Sequence, residues 1–222
     1  MHTTSIQPNE NSHQPGLVAR MLCTAISVLV HPVFVPLYVT AFLLYLHPTA
    51  FVGFSAFNKT RTLIIVALNI TFYPMLTILL LKWLGFIESM LLKTQKDRII
   101  PYIASGIFFF WSYTVFKQQS AYPLLMSAYM LGLFLASSGA LLANIYLKVS
   151  MHAIGMGTWL GFFLMLMKHN SMLMSGPLFA LILLTGIVCT ARLILNSHRP
   201  LEIYVGLGLG MLAALVGYAF VM

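Results

Sequence analysis

The stretch TLIIVALNITFYPMLTILLLKWLG, residues 62–85, carries a single charge, Lys82. As a helix rising about 1.5 Å per residue it is long enough to cross the roughly 30 Å hydrocarbon core of a bilayer. Comparable apolar runs occupy residues 100–117, 124–147, 177–196 and 201–221, and a shorter one lies at 153–168. An earlier run, 17–46, is interrupted by HPVFVP. Pro32 and Pro36 each remove a backbone donor there, so the run is either one kinked span or two short segments. No strand-and-turn rhythm accompanies these runs, and a bilayer admits only helices or closed barrels. The sequence therefore predicts an all-α, polytopic integral membrane helical bundle with six to seven transmembrane helices. Residues 1–15 read as a disordered polar tail without the parts of a signal peptide, and 16–222 as one transmembrane catalytic domain.

Composition excludes the competing classes. Charged residues make up 7% of the chain and hydrophobic ones 60%, against roughly 25% charged in a soluble domain. The formal net charge of +8 suggests nucleic acid at first sight. Yet the basic residues are scattered through short loops rather than gathered in a stripe, so no nucleic-acid partner is expected. Most of them suit snorkelling positions at helix ends. Cys23 and Cys189 sit in apolar runs and read as packing residues. The glycines at 206, 208 and 210 lack the strand–turn–helix setting of a phosphate loop, and together with Gly155, Gly157 and Gly161 they read as close-packed helix faces.

Three polar clusters stand out against this background: LLKTQKDRIIPY at 91–102, YLKVSMHAIG at 146–155 and RLILNSHRPLE at 192–202. Two crossings separate each cluster from the next, so all three should meet on one membrane face. That brings together Lys93, Lys96, Arg98, Lys148, Ser150, His152, Arg192, His198, Arg199 and Glu202. Such a basic, histidine-containing site suits an anion, and phosphate foremost, because guanidinium forks match its oxygens in pairs. Phosphoryl transfer needs a nucleophile, a proton for the leaving oxygen and positive charge around the equatorial oxygens. Two histidines can divide the first two tasks. Pro200 should make Arg199 a helix boundary and put Glu202 in the first turn, within reach of the His198 ring. The only carboxylates are Glu10, Glu88, Asp97 and Glu202, too few for a two-metal site, so neither metal nor cofactor is expected. Asp97 reads as a salt partner of its neighbour Arg98. His31 and His47 read as histidines bonding backbone or water, and Asn69 and Tyr73 as groups bonding between helices.

These residues resemble the type 2 phosphatidic acid phosphatase superfamily, which includes bacterial lipid phosphatases and vanadium haloperoxidases. Its motifs read Lys-x6-Arg-Pro, Pro-Ser-Gly-His and Ser-Arg-x5-His-x3-Asp. Here Arg192, His198 and Glu202 keep the third spacing, Ser150-Met151-His152 stands for the second, and Arg98 with Pro101 for the first. The resemblance covers about half the chain, residues 93–202, in the family's order. It implies that His198 is a nucleophile forming a phosphohistidine and that His152 protonates the leaving group. It further implies that Glu202 orients His198, and that Arg98, Ser150, Arg192 and Lys93 bind phosphate. The departures are Leu91 at the family's lysine position, Met151 for Gly, Val149 for Pro, Ala191 for Ser and Glu202 for Asp.

The expected function is hydrolysis of a phosphomonoester or pyrophosphate of a lipid, without metal. The partners would be membrane lipids and a lipid phosphate or isoprenyl pyrophosphate substrate. The resemblance also suggests a bacterial inner membrane with the site on its outer face, since loop charge alone barely discriminates orientation. The alternative is a catalytically weak or inactive protein of the same fold that binds or transports an anionic lipid.

Overall fold

The computed structural model describes residues 16–87, 94–169 and 171–222, and all their regular secondary structure is helical. The elements are α1 (Leu17–Leu29), α2 (Val35–Ala41) running into a π turn (Phe42–Leu46), and α3 (Ala56–Val66). A second π turn (Ala67–Phe72) joins α3 to α4 (Tyr73–Trp83). Then follow α5 (Gln95–Gln118), α6 (Leu124–Ala143), α7 (Met151–His169), α8 (Ser171–Ile194) and α9 (Pro200–Val221). The polar tail 1–15 and Lys93 lie outside the described residues.

Five helices are long and apolar enough to cross a membrane: Ala56–Trp83, Gln95–Gln118, Leu124–Ala143, Leu173–Ile194 and Pro200–Val221. Two further segments bear on the expected six to seven. The run 17–46 is not one kinked span but two short helices, Leu17–Leu29 and Val35–Leu46. Helix α7, at 19 residues, is long enough, but polar residues such as Thr158 and Lys168 and three glycines dilute its apolar character.

Helix α5 shows how the bundle faces outward. Ile99, Ile103, Ile107, Phe110 and Trp111 form an exposed stripe, while Arg98, Tyr102, Tyr113 and Phe116 on the opposite side are buried. A helix in water would reverse that pattern. Helix α6 lies at the centre, with 61% of its apolar window buried against 22% for Ala56–Trp83. Tyr129, Met126 and Met130 of α6 pack with Phe162 and Phe163 of α7 in the main core. A smaller core of Tyr102, Ala136, Ala140, Val149, Ile154 and Ala213 lies next to the polar clusters.

Helix α7 meets α9 almost backbone to backbone. A Cβ added at Gly210 would run into the Ile154 carbonyl, and one at Gly157 into that of Leu207. Small residues allow this approach, which dispersion contacts then reward. The reading of the glycine runs as packing faces therefore holds for Gly157, Gly161, Gly206 and Gly210, while Gly208 faces open space.

The break between α1 and α2 has an explicit hydrogen-bond solution. Ending a helix orphans its last carbonyls, and each needs a partner away from water. Tyr38 Oη donates to the Leu29 carbonyl at 2.7 Å, Thr71 Oγ1 to that of Val33 at 3.0 Å, and His152 Nε2 to that of Ser27 at 2.9 Å. The partners come from α2, the second π turn and α7, so the break is tied into the bundle from three sides. Asn69, expected to bond between helices, instead donates to Ile65 of its own helix at 2.9 Å. Tyr73 stacks on Phe108 of α5, with ring centroids 5.8 Å apart.

Candidate active site

The site is built around three consecutive residues, Lys148, Val149 and Ser150, in the loop before α7. The Lys148 carbonyl lies 3.1 Å from His198 Nδ1. The Val149 carbonyl accepts from Arg98 Nη1 at 2.9 Å. The Ser150 amide donates to the Glu202 carbonyl at 3.2 Å. One short strand of backbone thus ties together all three polar clusters.

Each flanking helix starts where its own sequence dictates. Thr94 Oγ1 accepts from the Asp97 amide at 3.1 Å, and Asp97 Oδ2 faces the Thr94 amide at 3.4 Å. This reciprocal cap fixes the first turn of α5 and leaves Arg98 facing inward. Asp97 therefore serves the helix terminus. Pro200 opens α9 with Arg199 as its cap residue, which puts Glu202 in the first turn as expected. Ser150 is fully buried. Its Oγ accepts from the Ala153 amide at 3.4 Å, and its carbonyl from the Ile154 amide at 3.0 Å. It starts α7 and does not line the cavity described next.

That cavity, of about 570 Å³, is lined by Arg98, His152, Arg192 and His198 at one side and by apolar groups such as Val28, Phe34, Met75, Phe109 and Leu133 elsewhere. Of the residues proposed from sequence, these four therefore converge on a single space, and Glu202 joins them through His198. Met151, where the family pattern has glycine, also contributes to the wall. Lys96 and Arg199 are exposed and do not line it.

Glu202 Oε2 lies 2.7 Å from His198 Nδ1. A carboxylate and a carbonyl only accept, so Nδ1 must carry the hydrogen that Glu202 and Lys148 share. In the neutral ring the lone pair is then on Nε2, which has no hydrogen-bond partner among the described residues. Burial holds His198 below the ordinary histidine pKa, helped by the charges of Arg98 and Arg192, against the opposing pull of Glu202. Near neutral pH the ring is therefore uncharged, with Nε2 available as a nucleophile.

Arg98 and Arg192 are brought close enough to repel, and the Glu202 carboxylate lies near enough to Arg98 to attract it. Arg192 Nη1 donates to Ser27 Oγ at 3.3 Å, and its Nε is buried with no partner among the described residues. Two guanidiniums around one cavity make a cationic seat for a multivalent anion. No group of three metal-ligating side chains occurs among the described residues.

Two contributors were not assigned chemistry from the sequence. Ser27 holds His152 through its carbonyl and Arg192 through its hydroxyl. His31 lines the cavity, and its ring lies edge-on to His152 with centroids 5.4 Å apart. The signal that could have found them is HPVFVP: a helix that stops inside an apolar run exposes backbone and side chains at that depth. His47, by contrast, accepts from the Ala50 amide at 3.1 Å, in keeping with its reading as a backbone-bonded histidine.

Neither a protein-family model, nor a curated protein, nor a solved structure matches this chain.

Proposed function

We propose that this chain is an integral membrane phosphatase that hydrolyses a phosphomonoester or pyrophosphate of a lipid through a phosphohistidine on His198. The observation that carries the reading is the His198–Glu202 pair, 2.7 Å apart, at a cavity shared with Arg98 and Arg192. Glu202 fixes the tautomer that leaves Nε2 free to attack phosphorus. The two guanidiniums bind the phosphoryl oxygens and stabilise the charge of the transition state. The remaining cavity wall, with Val28, Phe34, Met75, Phe109 and Leu133, accommodates an apolar tail attached to that head. Five helices long and apolar enough to cross a membrane support a lipid as the substrate. The orientation favoured is the site on the outer face of a bacterial inner membrane.

The test is phosphate release from phosphatidic acid, phosphatidylglycerophosphate, an isoprenyl pyrophosphate and a lipid A phosphate, in chelator, by purified protein in detergent. Wild type should turn over at least one of them, and His198→Ala should lower that rate by about 1000-fold or more. Binding of these lipids without turnover of any would sink the enzyme reading and leave an anionic-lipid carrier or binder.

A further inference from the structure

Resting on the phosphatase reading, we propose that His31, from the break between α1 and α2, is the acid that protonates the leaving group. Two histidines other than His198 line the cavity, His31 and His152. Their hydrogen bonds separate their roles. His152 is 9% exposed, and its Nε2 is 2.9 Å from the Ser27 carbonyl. A carbonyl accepts only, so the Nε2 hydrogen of His152 is committed to the backbone. That bond satisfies an orphaned helix-end carbonyl, which in an apolar bundle is costly to release.

His31 has the complementary arrangement. Its Nδ1 accepts from the Val33 amide at 3.4 Å, so the hydrogen of the neutral ring is on Nε2. No described residue accepts from that nitrogen. His31 is exposed and lines the cavity, so its Nε2 can reach a bound ligand and the water that follows it. The groups that face it are the His152 ring from α7 and the Arg192 guanidinium from α8. Arg98 and His198 line the same cavity. Both arginines disfavour a charged imidazole, whereas a bound phosphoryl group favours one. Substrate binding thus loads a second proton onto Nδ1, which gives up its long contact with the Val33 amide, and the reaction then consumes the proton on Nε2.

The step balances as follows. The Nε2 lone pair of His198 forms the N–P bond, and the P–O bond to the lipid alcohol breaks with its electron pair on oxygen. Protonated His31 gives its Nε2 proton to that oxygen and becomes neutral. In the second half, neutral His31 takes a proton from water as the water oxygen attacks phosphorus. The N–P bond breaks with its pair returning to His198, and inorganic phosphate leaves. His152 is a positioning residue here: it holds Ser27, whose hydroxyl accepts from Arg192.

Leaving-group dependence separates the two histidines. A long-chain alkyl phosphate needs an acid to expel its alkoxide, while a nitrophenyl phosphate carrying the same chain does not. His31→Asn and His31→Gln should lower turnover of the alkyl ester by about 100-fold or more, the usual range for general acid catalysis, and change the nitrophenyl ester by less than about fivefold. His152→Asn should slow both esters to a similar degree. Retained alkyl turnover in both His31 variants, or equal losses on the two esters, overturns the assignment to His31 while the phosphatase reading stands. A loss confined to the alkyl ester in His152→Asn hands the role to His152. Absence of turnover by wild type on either ester overturns both readings.

Discussion

The turn at 195–202 and the break at 30–36 both interrupt apolar helices and both reach the same cavity, but they are held in opposite ways. The turn is fixed by neighbours in sequence: His198 bonds Glu202 four residues on, and Pro200 sets the helix start. The break is fixed from a distance, by Thr71 on Val33 and by His152 and Arg192 on Ser27. A locally determined element can carry the chemistry with little help. A remotely determined one carries whatever the bundle imposes on it, and its function is visible only once the bundle is folded.

The strongest way to break this comparison is at Arg192, the residue that bridges the two regions. It lies two residues before the end of α8 and reaches back to Ser27 of α1. Arg192→Ala should lower kcat/KM by about 100- to 1000-fold, as expected when a fixed donor to the transition state is lost. Arg192→Lys should recover only part of it, because a point ammonium cannot both fork onto phosphate and hold Ser27. Full recovery in the lysine variant would mean that charge alone matters and that the bridge to Ser27 is incidental.

Glu202→Gln tests the turn by itself, with an expected loss of about 100-fold in kcat. Its pH profile carries the sharper information. In the proposed reaction His198 attacks only when unprotonated, so wild-type activity should fall as pH drops through its pKa, which burial holds below the ordinary histidine value. The hydrogen bond and charge of Glu202 oppose that depression. Removing them must lower the pKa further, so the acid limb should move to lower pH even as the maximum rate falls. A limb that moved upward would show that Glu202 does not act on His198 as proposed.

What the sequence made legible follows the same division. The apolar runs, the helix start at Pro200 and the approach of Arg98, His152, Arg192 and His198 to one face could be read from spacing and crossing number. Each depends on neighbours within a turn, or on the bilayer thickness. The 2.7 Å contact of Glu202 with His198 answers the question of reach raised by a glutamate where the family pattern has aspartate. Ser150 was less legible, because a hydroxyl before a helix serves equally well as a ligand or as a cap, and only burial tells them apart. Ser27 and His31 were not legible as site residues, since nothing in their own neighbourhood says which carbonyl or cavity they will meet. At 17–46 two prolines left a choice between one kinked span and two short segments, which only packing against α7 and the second π turn resolves.

The smallest expected effect is at Thr71, which tests whether the break is a scaffold or merely a defect that the bundle tolerates. Thr71→Val keeps the shape and removes the donor to the Val33 carbonyl. Hydrogen bonds between helices in a bilayer average about 0.6 kcal/mol and reach about 1.7. An orphaned buried carbonyl belongs near the upper end, so unfolding in detergent should register a loss of about 1–2 kcal/mol. Val33 also donates its amide to His31 Nδ1, so loosening its carbonyl should disturb His31 and leave the turn intact. The variant should therefore lose a few-fold in turnover of the alkyl ester and almost nothing on the nitrophenyl ester. Equal stability and equal turnover in Thr71→Val would mean that the break is held by Tyr38 and His152 alone. Equal losses on both esters would mean that disturbance at the break reaches the turn, and the two regions would then be one mechanical unit.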